Sequence, residues 1–186
     1  PSIARSCLES LARQFVSLHE EIGAAKQQIH AWHLSNEVSC RLGTIPGLGP
    51  ISSSAMAASV SDPDVFKNGR ELAAWIGLVP RQNSTGGKQR LGKISKQGDQ
   101  YLRWLLVVGA MSVIRQAKRR GTSNMPWLDD IIARKPAKVA AVALANKNAR
   151  IIWASMKQGG TYQKPEPFPQ HRKHTGVRRY GVWQSE

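Results

Sequence analysis

Leu42-Gly43-Thr44-Ile45-Pro46-Gly47-Leu48-Gly49-Pro50 separates two stretches that each read as helix. Three glycines and two prolines in nine positions cannot continue a helix, and Pro50 suits the first position of the small-residue run at 51–60. A helix therefore ends, the chain turns tightly and another helix starts. This predicts a mainly α fold assembled from helices joined by Gly/Pro turns.

Upstream of the turn, Leu8, Leu11, Phe15, Leu18, Ile22, Ala25, Ile29 and Trp32 are spaced 3, 4, 3, 4, 3, 4, 3, an unbroken heptad seam. Such a seam predicts a coiled-coil arm over residues 1–40 that pairs with a second copy of the chain; the alternative is a long helix packing its stripe on its own domain. Downstream, Asp62-Pro63-Asp64 reads as a turn, Asn68 as the cap of a short helix through Trp75, and Gly77 as its stop. Asp99 caps a helix expected at 100–119, apolar nearly all round from Tyr101 to Ile114 and therefore central to the core. A short helical turn is expected near 128–132, and Pro136 opens a last helix that Gly159-Gly160 terminates. On that helix Val139, Val142, Ala143, Asn146, Ala149, Trp153 and Met156 share one face, which reads as core, while Lys138, Lys147 and Arg150 need solvent or a ligand. The tail at 159–186, with Pro165, Pro167, Pro169 and a basic run, reads as a flexible arm. The expected units are thus the arm at 1–40, a helical domain at 41–158 and the basic tail.

With 27 Lys+Arg against 12 Asp+Glu, the 186 residues carry a formal charge of +15, yet 41% hydrophobic content is ordinary for a packed globular chain. The charge has a location: residues 81–120 hold ten basic side chains against Asp99 alone, while residues 1–80 are close to neutral. A polyanion partner, nucleic acid first, explains such a cluster, because neutralising phosphates releases condensed counterions; the alternative is a solvated basic face. The longest apolar run, at 104–111, is too short for a membrane span. Cys7 and Cys40 form neither a disulfide framework nor a zinc pattern, which points to the reducing cytoplasm. Pro1 in place of Met, with no signal sequence after it, predicts a missing N-terminal part.

Two segments carry candidate chemistry. The 42–50 turn looks like a helix-hairpin-helix element, in which Gly47 and Gly49 let backbone amides approach a phosphate at the start of the next helix; a plain interhelical turn has the same pattern. The ribbon at 81–98 combines glycines, the hydroxyls of Ser84, Thr85 and Ser95, and the cations Arg81, Lys88, Arg90, Lys93 and Lys96, with no carboxylate before Asp99. A hydroxyl held among cations sits where attack on a phosphodiester would develop negative charge, or it simply hydrogen-bonds phosphate. Asp62/Asp64 and Asp129/Asp130 are close pairs that no His or Glu completes as a metal set, so no metal site and no cofactor is expected in this chain.

These residues resemble a known family. Ile45-Pro46-Gly47-Leu48-Gly49-Pro50, Trp75-Ile76-Gly77-Leu78-Val79-Pro80, Ser84-Thr85-Gly86-Gly87-Lys88, residues 91–98, Tyr101-Leu102-Arg103, and Ala145-Asn146-Lys147 with Ala149-Arg150 are similar, in order, to the C-terminal half of the IS-one-ten and IS-eleven-eleven transposases of bacterial insertion sequences. The resemblance runs from about 41 to 158. It implies DNA transposition, in some members with a guide RNA. It also implies an N-terminal four-carboxylate domain that binds magnesium, and a C-terminal serine that forms a covalent link to DNA. Carried onto this chain, the nucleophile falls at Ser84 or Thr85. Phosphates would then be held by Arg81, Lys88, Arg90, Lys93, Lys96, Arg103, Lys147 and Arg150, and by the Gly47/Gly49 turn. On that reading the chain is half an active site that binds nucleic acid without completing strand exchange. Without the resemblance, a non-enzymatic nucleic-acid-binding module uses the same turn and ribbon as phosphate ligands.

Overall fold

A computed structural model describes residues 2–82, 91–121 and 125–163. The described residues are mainly helical, as expected: α1 (Ser2–Ser35), α2 (Glu37–Gly43), α3 (Pro50–Ser59), a 3-10 turn at Pro63–Val65, α4 (Gly69–Trp75), the strands β1 (Pro80–Gln82) and β2 (Leu91–Ile94), α5 (Gln100–Arg120), α6 (Pro126–Arg134) and α7 (Ala137–Gln158). The boundaries follow local chemistry. The Asn68 side chain accepts from the amides of Arg70 (2.9 Å) and Glu71 (3.1 Å), and Asp99 accepts from Leu102 N at 2.8 Å, satisfying amides that have no partner within their own helix. Asn36 does the same for Ser39 N at 2.8 Å, which breaks the arm from α2 inside the segment expected to be one coiled coil. Gly159 closes α7 in the left-handed conformation.

The core forms where α7 crosses α4 and α5, with α2, α3 and α6 packed around them. Leu42, Ile45, Leu72, Ile76, Leu102, Leu106, Ile114, Leu128, Leu144 and Ile152 are fully buried. Each such side chain stabilises the fold by roughly 1.5–3 kcal/mol relative to exposure. The face that α7 turns inward is Ala140, Ala141, Leu144, Ala145, Asn148, Ala149, Ile152 and Ser155. This corrects the sequence expectation. Of the face read as core, Ala149 is buried, but Val139 is 51% exposed and Val142, Ala143, Asn146 and Trp153 are only partly covered. At 3.6 residues per turn the two faces lie on opposite sides of the helix, and the alanine-rich one wins because it lets neighbouring backbones approach closely. A similar correction applies to α5. It buries Leu102, Leu105, Leu106, Ala110, Ile114 and Ala117 but leaves Tyr101, Trp104 and Val108 on the surface, since one helix presents only one stripe to a core on one side.

The turn between α2 and α3 rests on α5 backbone to backbone. Gly47 has φ +91°, and a Cβ there would come within 2.9 Å of the Gly109 carbonyl oxygen; a Cβ on Gly109 would in turn collide with the Gly47 carbonyl. Asn146 Nδ2 of α7 donates to Leu78 O at 3.1 Å and Arg103 Nη1 donates to Ile76 O at 2.8 Å, so the turn after α4 is tied to both long helices.

α1 leaves this body as an arm. His33 is its buried residue, with Nδ1 hydrogen-bonded to Ser39 Oγ at 2.7 Å and Ser39 Oγ 3.3 Å from Ser54 Oγ. Along the seam, Leu8, Leu11, Phe15, Leu18, Ile22 and Trp32 are exposed, Phe15 by 72%. The alternative in which the seam packs on its own domain is thus not what the described residues do over Leu8 to Ile22.

Candidate nucleic-acid interface

β1 and β2 form an antiparallel hairpin with Pro80 opposite Ile94 and Gln82 opposite Leu91, two steps on one strand against three on the other. The irregularity is a bulge that bends the strand. After β2, Ser95 N donates to Val79 O (2.9 Å) and Lys96 N to Gly77 O (3.2 Å), while Lys96 itself takes φ 56°, a left-handed value uncommon for a side-chain-bearing residue. The hairpin is therefore fastened at its base to the turn that follows α4.

Between this hairpin, the start of α4, Trp127 of α6 and the outward face of α7 lies an open groove of about 1790 Å³. Its floor is apolar: Val139, Val142, Ala143, Ile151 and Ala154, with Leu78 and Ile94 on the hairpin side. Its rim is cationic: Lys93 and Lys96 from the hairpin, Arg70 from α4, and Lys138, Lys147 and Arg150 from α7. Among the described residues lining it there is no Asp or Glu. Low-dielectric walls carrying one sign of charge concentrate the field and draw counter-charged ligands.

Two contacts set the rim. Lys147 Nζ lies 4.4 Å from the centre of the Trp127 ring, a cation–π arrangement that anchors the ammonium at the groove edge. Burial, and then the neighbouring Arg150 guanidinium, hold its pKa below the ordinary lysine value. Arg150 is exposed, and Gly69 of α4 packs against its backbone: a Cβ on Gly69 would come within 2.9 Å of the Arg150 Cα.

Of the residues singled out from sequence, Lys93, Lys96, Lys147 and Arg150 come together on this groove. Arg81 is exposed on β1 and donates through Nη2 to Ser95 O at 3.2 Å. Arg103 is half-buried and turned inward, to Ile76 O and to Asp99 O at 3.4 Å. Gly47 is packed on Gly109, whereas Gly49 precedes α3 with open space where a Cβ would stand. Ser84, Thr85, Lys88 and Arg90 lie outside the described residues, as does the tail from 164. Sequence reasoning did not assign Arg70, Lys138 or Trp127 to the site. Lys138 and Lys147 are nine residues apart and sit on opposite edges of the same α7 face, a relation that i, i+3 and i, i+4 counting does not reveal.

Among the described residues no three His, Cys, Asp or Glu side chains gather into a metal-binding group; the magnesium that the resemblance implies would be held by the N-terminal four-carboxylate domain. Nor, among them, is any helix long and apolar enough to cross a membrane.

Residues 39–124 match the family described as "Transposase IS116/IS110/IS902 family". Over 163 residues the chain is 46% identical to a "Probable family 20 transposase" of Pseudomonas aeruginosa, covering 88% of this chain and 48% of that protein. It is 40% identical to the "Transposase for insertion sequence element IS1111A" of Coxiella burnetii, over 84% of this chain and 43% of the relative. With the "Transposase for insertion sequence element IS1328" of Yersinia enterocolitica the identity is 38%, over 83% and 48%. The chain spans about half the length of the curated relatives it matches. The family match runs from α2 through α5, the relatives cover more than four fifths of the chain, and the chain belongs to the IS116/IS110/IS902 transposase family, of which it carries a C-terminal domain.

Proposed function

We propose that this domain binds DNA through the groove and contributes the nucleophilic half of a DNA-transposing active site. The observation that carries the reading is the convergence of six cations from three separate elements on one groove with no carboxylate among its described lining residues. Each cation that contacts a phosphate releases condensed counterion, so these side chains supply affinity independent of sequence. The hydroxyl of Ser84, or of Thr85 in its place, attacks a DNA phosphate: its oxygen bonds to phosphorus as the bond from phosphorus to one deoxyribose oxygen breaks, and that strand end departs as a hydroxyl carrying the proton the side chain gave up; Arg81, Lys88 and Arg90 flank it in sequence and offset the charge that develops. The Gly49 end of the α2–α3 turn meets the backbone of the same strand. A guide RNA, where the longer protein uses one, draws on the same cations. The exposed seam from Leu8 to Trp32 joins two copies of the chain, burying apolar surface that the monomer leaves in water.

Two measurements test this. DNA affinity of the 186-residue chain falls steeply with salt, and neutralising Lys93 or Arg150 to Gln lowers the slope of log K against log salt by about one each. In the longer protein that includes a carboxylate domain, a labelled strand becomes covalently attached, and the attachment disappears with Ser84→Ala or, if Thr85 is the nucleophile, with Thr85→Ala. Salt-dependent binding with no attachment in the longer protein favours the non-enzymatic module, and salt-insensitive binding defeats both readings.

A further inference from the structure

We infer that the groove takes an unpaired DNA strand, with bases laid on the apolar floor and phosphates on the cationic rim. The inference rests on the reading that the groove binds nucleic acid and adds which form of it. At about 1790 Å³ the groove exceeds the ~300–1,000 Å³ usual for small-molecule pockets, so it suits a polymer segment.

Charge alone does not distinguish a duplex from a single strand, but the floor does. A duplex keeps its base faces stacked inside and offers its phosphates outward, so it would meet Lys93, Lys96, Lys138 and Arg150 while leaving Val139, Val142 and Ile151 without an apolar partner. A single strand exposes one base face for every phosphate, and pairs each with what this groove offers at the same place. Val139, half-exposed, and Trp127, exposed by 38% and beside the Lys147 ammonium, both line that floor. Deoxyribose suits the floor better than ribose. A 2′-hydroxyl pressed against valine and isoleucine loses its water, a cost that deoxyribose does not carry.

The test is fluorescence anisotropy of the full 186-residue chain with a labelled thymidine oligonucleotide of about 12 nucleotides. The matching duplex and the uridine RNA strand are measured at the same salt. The single DNA strand is expected to bind at least about fivefold more tightly than duplex or RNA, and Trp127→Ala or Val139→Ser to bring the single-strand to duplex ratio down toward about one. Circular dichroism of both variants verifies that they fold, and having two keeps the result readable if one does not. A duplex that binds as well as the single strand, or a ratio that neither variant moves, overturns the inference while leaving the proposed DNA binding standing. RNA binding as tightly as DNA overturns the assignment to a deoxyribose strand. Loss of all salt-dependent binding overturns the proposed function and this inference together.

Discussion

Asn148 of α7 donates from Nδ2 to the carbonyl oxygen of Pro46 at 2.9 Å, joining positions 102 residues apart. The amide is almost completely buried, 2% exposed, and fastens α7 to the turn between α2 and α3. Two positions earlier, Asn146 holds the turn after α4 in the same manner. One stretch of one helix thus fixes both glycine turns that bear the family's motifs.

Asn148→Ala removes that donor and leaves Pro46 O without it. The expected cost is about 1–3 kcal/mol, the penalty for a partly buried acceptor left unpaired. Asn148→Asp, which sets a carboxylate against the carbonyl, is expected to cost more. Urea unfolding followed by circular dichroism measures both, and an Asn148→Ala midpoint equal to that of the parent protein would contradict the role.

Gly109→Ala tests the backbone contact with Gly47. In an ordinary helix interior, replacing Gly by Ala stabilises by roughly 0.5–1 kcal/mol. Here the added methyl meets the Gly47 carbonyl, so the expected sign is reversed, a loss of about 1–3 kcal/mol. The sign of the shift in thermal midpoint decides the matter.

Phe15 and Leu18 lie at consecutive seam positions of α1 and are largely exposed in the single chain. If the seam joins two copies, Phe15→Lys with Leu18→Glu dissolves the assembly without unfolding the body. Sedimentation equilibrium should report a smaller species, accompanied by a loss of helical signal from an arm that has little else to hold it. An unchanged mass would remove the seam from assembly.

Lys147 links binding to pH. A lysine whose folded pKa lies below 10.5 holds its proton less tightly folded than unfolded, so its charge costs stability at lower pH. That cost is relieved as pH rises through the lowered value toward 10.5. A bound phosphate favours the charged form, so binding takes up a proton and affinity falls as pH rises through the pKa of the free protein. Lys147→Arg, charged throughout, is expected to move that fall to higher pH. Anisotropy titrations at constant salt follow it, and superimposable pH profiles would exclude Lys147 from the interface.

Much of the architecture was legible because its causes are local. Asn68 and Asp99 cap the helices that follow them, Gly159 ends α7, and the heptad in α1 repeats over a distance that needs no tertiary information. The break at Asn36 was equally local and went unread, since the seam runs almost up to it. Four of the cations named from sequence do line the groove, because the charge was concentrated near the hairpin and on one side of α7. Arg103 shows the limit of that reasoning: its charge counted toward the basic cluster, yet its guanidinium faces the Ile76 carbonyl.

The chain's pattern alone determined the helical class, the turns and the place of the positive charge, since capping, backbone stiffness and side-chain charge act within a few residues. Only the tertiary structure decided which side of α7 is core. Val139, Val142 and Trp153 are the more apolar face by composition, but Ala140, Ala141, Ala145 and Ala149 are the ones that let α4 and α5 close to packing distance. Once that choice is made, Val139 and Val142 are left on the outward side while Trp153 still packs partly against the core, and with Lys93 and Lys96 brought over by the hairpin that side becomes the floor and rim of a groove. Packing compares surfaces distant in sequence, and the distances between them exist only after the chain has folded.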